Sequence, residues 1–93
     1  MEVEKEVQQK KPLTKTEQTL LDELQIGKHP TIVTHPFSKE RFMLEPKAVA
    51  LYDYIKGYEK MIHMGKTKNI RQFDTARYLF MKLWPVTYMN LLD

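Results

Sequence analysis

Three histidines, His29, His35 and His63, have the widest chemical repertoire in this 93-residue chain, and their spacing builds no metal site. A structural zinc needs four ligands, and a catalytic zinc usually takes three plus water. The chain has no cysteine to complete such a set. His29 and His35 each precede a proline in a loop-like stretch, and His63 lies far along the chain. The acids closest to strong helical patterns are Asp53, Glu59 and Asp74. Asp53 and Glu59 are six residues apart and point to different faces of a helix, whereas general acid–base chemistry needs groups converging on one bond. Ser38 is the only serine and sits in no Gly-x-Ser-x-Gly turn, and Gly27, Gly57 and Gly65 are too scattered for a phosphate-binding loop. The expectation is a chain that is not an enzyme, with no metal and no cofactor.

Two sets of residues point instead to binding. Tyr52, Tyr54 and Tyr58, with Met61 and Met64, are more than helical spacing can place on one buried stripe, which leaves Tyr54, Met61 and part of Tyr58 at its exposed margin. Tyrosine and methionine suit protein interfaces, because they offer contact area that is either rigid or adaptable. Lys60, Lys66, Lys68, Arg71, Arg77 and Lys82 form the main basic set, and the excess between Lys66 and Lys82 is opposed locally only by Asp74. Lys66, Lys68 and Arg71 cluster where a helix is expected to start, and amides and cations together attract phosphate there. The partner-binding residues expected are thus Tyr54, Tyr58, Met61, Lys66, Lys68 and Arg71. The leading expectation is a protein–protein interaction module whose partner is another protein or a second copy of itself. The alternative is a nucleic-acid-binding accessory protein using the basic connector at 66–71. The stretch 31–44 is a second candidate surface, because a strand edge can recruit another strand. Its structural role as a flap over the helices is the stronger expectation.

The elements that must position these residues follow from the pattern. Residues 1–12 carry three acids, three lysines and little apolar surface, and read as a flexible charged tail before a single compact α-rich domain at 13–93. Thr14-Lys15-Thr16-Glu17 matches a capping box and predicts a first helix over about 15–25, ended at Gly27. His29-Pro30 and His35-Pro36 bracket a β-branched run, which predicts a small hairpin or extended flap with strands near 31–35 and 41–44. Pro46 opens a long helix with Ala48, Leu51, Ile55, Tyr58 and Ile62 in register, closed by Gly65. Gly57 interrupts it and hints at a close contact or a bend. Asn69 and Gln72 are placed to cap a second long helix whose stripe is Ile70, Phe73, Ala76, Phe80 and Leu83, up to Trp84-Pro85. The predicted architecture is mainly α: a short N-terminal helix, the flap, and an αα-hairpin (46–64 and 69–84) with a short C-terminal helix carrying Val86, Met89, Leu91 and Leu92.

No apolar run approaches the roughly 20 residues of a membrane helix, and the charged start has no apolar signal region. A cytoplasmic protein with no membrane partner is expected. The segments His35-Pro36-Phe37-Ser38, Leu44-Glu45-Pro46, Ala48 through Gly57, and Trp84-Pro85 followed by Tyr88 resemble small uncharacterised proteins of tailed bacteriophages. The resemblance spans about Leu21 to Leu92. It implies a compact phage protein in a bacterial cytoplasm or virion, serving as an accessory factor, a virion component or an inhibitor of host defence. It brings no agreed activity and no catalytic residue.

Overall fold

The computed structural model describes residues 3–66 and 70–92. The first helix, α1 (Lys15–Glu23), starts as its capping box dictates. The Glu17 amide donates to the Thr14 hydroxyl at 3.1 Å, and the Thr14 amide donates to the Glu17 carboxylate at 2.9 Å. The helix ends earlier than predicted. Leu24 turns extended at its C-cap, and Gly27 keeps an ordinary negative φ, so it does not serve as the left-handed terminator. The second helix, α2 (Pro46–His63), begins with Pro46 in its first turn and buries Ala48, Leu51 and Ile55. Gly65, at φ 71, follows its C-cap Met64, and its amide returns to the Ile62 carbonyl. The third helix, α3 (Arg71–Leu83), buries Ala76, Leu79, Phe80 and Leu83. Trp84 then leaves helical geometry (φ −136, ψ 69), as the proline after it requires. The chain continues as a short turn, α4 (Pro85–Thr87), that widens into a π-helical stretch at Tyr88–Leu92.

Two further features of the helices differ from the sequence reading. Ile70 was expected in the α3 stripe, but it is the N-cap and half exposed. It makes no side-chain capping bond, and the proposed cap Asn69 lies outside the described residues. Gly57 was expected to mark a tight contact or bend. Yet a β-carbon built there meets nothing within 4 Å, so the position is open helix surface. Gly57→Ala is therefore expected to stabilise the fold by about 0.5–1 kcal/mol, through helix propensity and a less disordered unfolded chain. A thermal melt that falls on this substitution contradicts the assignment of open surface.

The β-rich part is larger than the expected hairpin. Strands β2 (Thr31–Thr34) and β3 (Arg41–Leu44) pair antiparallel, from Thr31 opposite Leu44 to Thr34 opposite Arg41. The loop between them is held by His35, whose Nδ1 accepts the amides of Phe37 and Ser38 at 3.1 Å each. On the other side of β3 lies a third strand, β1 (Val3–Lys5), paired parallel with Val3 opposite Arg41 and Lys5 opposite Met43. Residues 3–5 of the segment read as a flexible tail are thus a strand of the sheet. Its hold is polar. The Glu6 carboxylate accepts the amides of Val86 at 3.1 Å and Thr87 at 2.7 Å, and the Gln9 amide donates to the Leu83 carbonyl at 2.8 Å. Scarcity of apolar side chains argued for disorder, but a ladder and a carboxylate on unpaired helix-start amides use backbone groups that composition does not register.

One core joins these parts. Leu20 and Leu21 of α1, Phe42 and Leu44 of β3, the buried stripes of α2 and α3, and Trp84, Tyr88 and Leu91 form a single cluster. Phe80 lies at its centre, with ring centroids 5.4 Å from Trp84 and 6.3 Å from Tyr88. Of the four apolar residues assigned to the C-terminal helix, only Leu91 is fully buried, while Val86 and Met89 are exposed.

Candidate functional site

Tyr54, Tyr58 and Met61 stand at i, i+4 and i+7 on α2 and so share one face, beside the buried stripe. The structure gives the two tyrosines a packing role. The Tyr54 hydroxyl donates to Gln72 Oε1 of α3 at 3.1 Å, and its ring lies 5.7 Å from that of Tyr58. Tyr58 stacks at 6.0 Å on Phe73, and the Arg77 guanidinium caps the other end of this series 5.4 Å from the Phe73 ring. The α2–α3 contact is therefore partly aromatic and half-buried. Burial, with smaller contributions from Tyr58 and Glu23, pushes the Tyr54 hydroxyl pKa up, so it stays a neutral donor at physiological pH. Gln72, expected to cap α3, serves this interhelical bond instead.

Met61 lies further along the face, where α2 ends and the chain turns. Its carbonyl accepts the Lys66 amide at 2.9 Å, which brings Lys66 back beside it. Met61 is 43% exposed, Met64 55% and Ile70 50%. Lys66 and Arg71 are exposed at the two ends of this connector, and Lys68 lies outside the described residues. Arg71 also borders a groove of about 390 Å³ between α1 and α3, together with Lys15, Thr19, Leu20, Glu23 and Thr75. The sequence reading missed this groove, because its two walls are some fifty residues apart in the chain.

Two members of the basic set are engaged within the fold. Arg77 is engaged: its Nε donates to the Tyr88 hydroxyl at 3.1 Å and a terminal nitrogen lies 3.9 Å from Asp74. The Tyr88 bond is the chief cause that raises the Arg77 pKa. Lys82 is engaged too, with its ammonium 2.5 Å from the nearly buried Glu17 carboxylate and 3.4 Å from the Pro12 carbonyl. These two cations serve the fold. The signal for the Glu17–Lys82 pair was present but unread: Glu17 precedes Leu20 and Leu21 by three and four residues, which puts it on the apolar face of α1.

The second candidate surface, 31–44, has β2 at the rim of the sheet. The bond from the His35 amide to the Glu40 carbonyl sets the phase of the ladder. Residues 31, 33 and 35 point their backbone groups at β3, while Ile32 and Thr34 point theirs outward. Pro30 and Pro36 share the outward phase, and neither has an amide hydrogen to offer. The rim thus presents two donors between two blocked positions, which suits an edge protected against extended pairing. Phe37, 88% exposed, stands at the tip of this hairpin.

Among the described residues, no group of three or more His, Cys, Asp or Glu side chains gathers to hold a metal ion, and no helix is long and apolar enough to cross a membrane. No family model, no curated protein and no solved structure matches this chain.

Proposed function

We propose that this chain is a small non-catalytic protein–protein interaction module that engages its partner through the end of the molecule where α2 turns toward α3. The observation that carries the reading is the exposure of three large apolar side chains, Met61 and Met64 at the end of α2 and Ile70 at the start of α3, with the exposed cations Lys66 and Arg71 adjoining them in the chain. Adaptable apolar area rimmed by cations is the composition of a partner surface. Tyr54 and Tyr58 support it from behind, by fixing α2 on α3 so that the turn is presented on a rigid base. The phage resemblance adds a setting to the proposal: an accessory, virion or host-defence-inhibiting protein acting in a bacterial cytoplasm. Binding of a second copy of the chain through the same face is the homodimeric form of this reading.

A nucleic-acid reading draws on a specific feature as well. Arg71 opens α3, whose N-cap supplies no side-chain bond, and Lys66 precedes it by five residues in the chain. The engagement of Arg77 and Lys82 within the fold leaves this reading a smaller basic surface than the sequence promised.

The experiment is a comparison of the intact protein with Met61→Asp, Met64→Asp and, as a control elsewhere on the surface, Met89→Asp. Exposed positions tolerate such changes within about 0.5 kcal/mol, so all three variants are expected to melt near the parent. The partner is first isolated by affinity capture on the intact protein from a bacterial lysate, and its binding is expected to fall at least about tenfold, or roughly 1.4 kcal/mol, for the first two and to persist for the third. Binding to DNA or RNA that falls steeply with added salt, and that Met61→Asp leaves intact, selects the nucleic-acid reading instead.

A further inference from the structure

The sheet contains one strand that no turn ties to its neighbour. β2 and β3 are joined by a six-residue loop, so their pairing is local. β1 reaches β3 only after α1 and β2 have intervened, with Val3 pairing to Arg41. Closing that long loop costs more entropy than closing the hairpin, so the covalent connection favours β1 in its own slot less strongly. The residues that fill the slot are also lightly held. Glu4 and Lys5 are exposed, Val3 is half-buried, and Val7 is 73% exposed. The fixed points of residues 3–6 are a three-residue ladder and the Glu6 carboxylate on the amides of Val86 and Thr87, and the Gln9 amide on the Leu83 carbonyl anchors the chain just beyond them. The slot itself belongs to the body of the fold: Phe42 and Thr87 are buried, and with Val86 and Asn90 they border a shallow cavity of about 230 Å³ beside the strand. Between Glu6 and α1 the chain has no helix or strand.

We propose that residues 3–6 are an exchangeable strand, and that the slot between β3 and the start of α4 accepts the same segment from a second copy of the chain, giving a reciprocal strand-exchanged dimer. The occupant follows from the structure, since the segment known to fit the slot is this chain's own. Exchange keeps every ladder bond and both carboxylate–amide bonds, so the two forms differ mainly in the entropy of association. The tethered strand has an effective concentration on the order of millimolar, so exchange is a minority form at micromolar protein and grows toward millimolar. This surface is separate from the Met61 turn, and the inference does not rest on that reading.

The absence of native cysteine makes the test direct. Lys5→Cys and Met43→Cys place one thiol on each side of the ladder, in separate chains, at positions that face each other in the register. The two variants are mixed at about 1 mM and oxidised without denaturant. The expected product is a 5–43 heterodimer at least about fivefold in excess of the 5–5 and 43–43 dimers. Glu6→Gln in both chains is expected to speed its appearance several-fold by loosening the strand. The double variant Lys5→Cys/Met43→Cys reports at micromolar concentration whether the pairing forms within one chain, where closure is expected. Val3→Cys with Arg41→Cys repeats both measurements should Met43→Cys disturb folding. Closure within one chain combined with no excess of heterodimer overturns the proposal, as does failure of both pairs to close at all.

Discussion

Phe80→Ala is expected to lower the stability of the fold by about 3–5 kcal/mol, the cost of removing a fully buried ring and leaving a cavity. A chain of this size has roughly 5–15 kcal/mol in total, so the variant approaches unfolding at room temperature. The effect is large because Phe80 contacts more than its own helix. Its ring meets Trp84 and Tyr88, and Tyr88 in turn holds Arg77. Removing the ring therefore loosens the C-terminal turn and, with it, the amides that receive Glu6. The check is a denaturant titration followed by the fluorescence of Trp84, the only tryptophan. Phe37→Ala is the contrast: that ring is almost wholly in solvent, and its loss is expected to change stability by no more than about 0.5 kcal/mol. Comparable losses at the two positions contradict the assigned core.

Breaking the Glu17–Lys82 pair ranks next. Glu17 is buried in the face that α1 turns to the core, and Lys82 lies across from it on α3. Lys82→Met leaves the carboxylate buried with only Thr14 to donate to it, at an expected cost of about 2–4 kcal/mol. That is somewhat below a fully buried pair, because Lys82 is a quarter exposed. Glu17→Gln keeps an acceptor for Thr14 but loses the charge, and is expected to cost about 1.5–2 kcal/mol. The double variant is expected to lose less than the sum of the two, since neither partner is then left uncompensated.

The same pair gives a pH dependence of known sign. Burial works to raise the Glu17 pKa, but the Lys82 ammonium and the two Thr14 donors outweigh it and hold it below the ordinary 4.5. The folded state then binds the proton less readily than the unfolded chain. Stability from this group is fully present above about pH 4.5 and is lost as pH falls through the lower folded value. The melting temperature of the parent is expected to drop more steeply between pH 5 and pH 3 than that of Glu17→Gln, by about 4–8 °C per kcal/mol of pair energy. Parallel pH profiles contradict the depressed carboxylate.

What could be read in the sequence was what local chemistry decides. The capping box at Thr14–Glu17, the proline at the head of α2, the glycine after it and the break at Trp84-Pro85 each involve residues within a few positions of one another, and each stands where expected. What could not be read was decided at long range. β1 pairs with residues 38 positions away, Glu6 caps a turn 80 positions away, and Glu17 meets a lysine 65 positions away. The strand pairing and the Glu6 cap leave no periodic trace, and helical spacing puts Glu17 on the apolar face of α1 without naming its partner. Tyr54 and Tyr58 show the limit within a single helix. Their spacing put them beside the core stripe, but whether α3 or solvent met them depended on how two helices pack, and α3 took them. Met61, one turn further on, lies where α2 runs out, and it remained exposed.

That difference along one helix face is the basis of the functional account, and Met61→Asp probes it most directly. The parent and the variant are compared for melting temperature and for binding to the captured partner at two salt concentrations. The account predicts unchanged melting, binding weakened at least about tenfold, and little dependence of the parent's binding on salt. Unweakened binding by a well-folded Met61→Asp variant contradicts it.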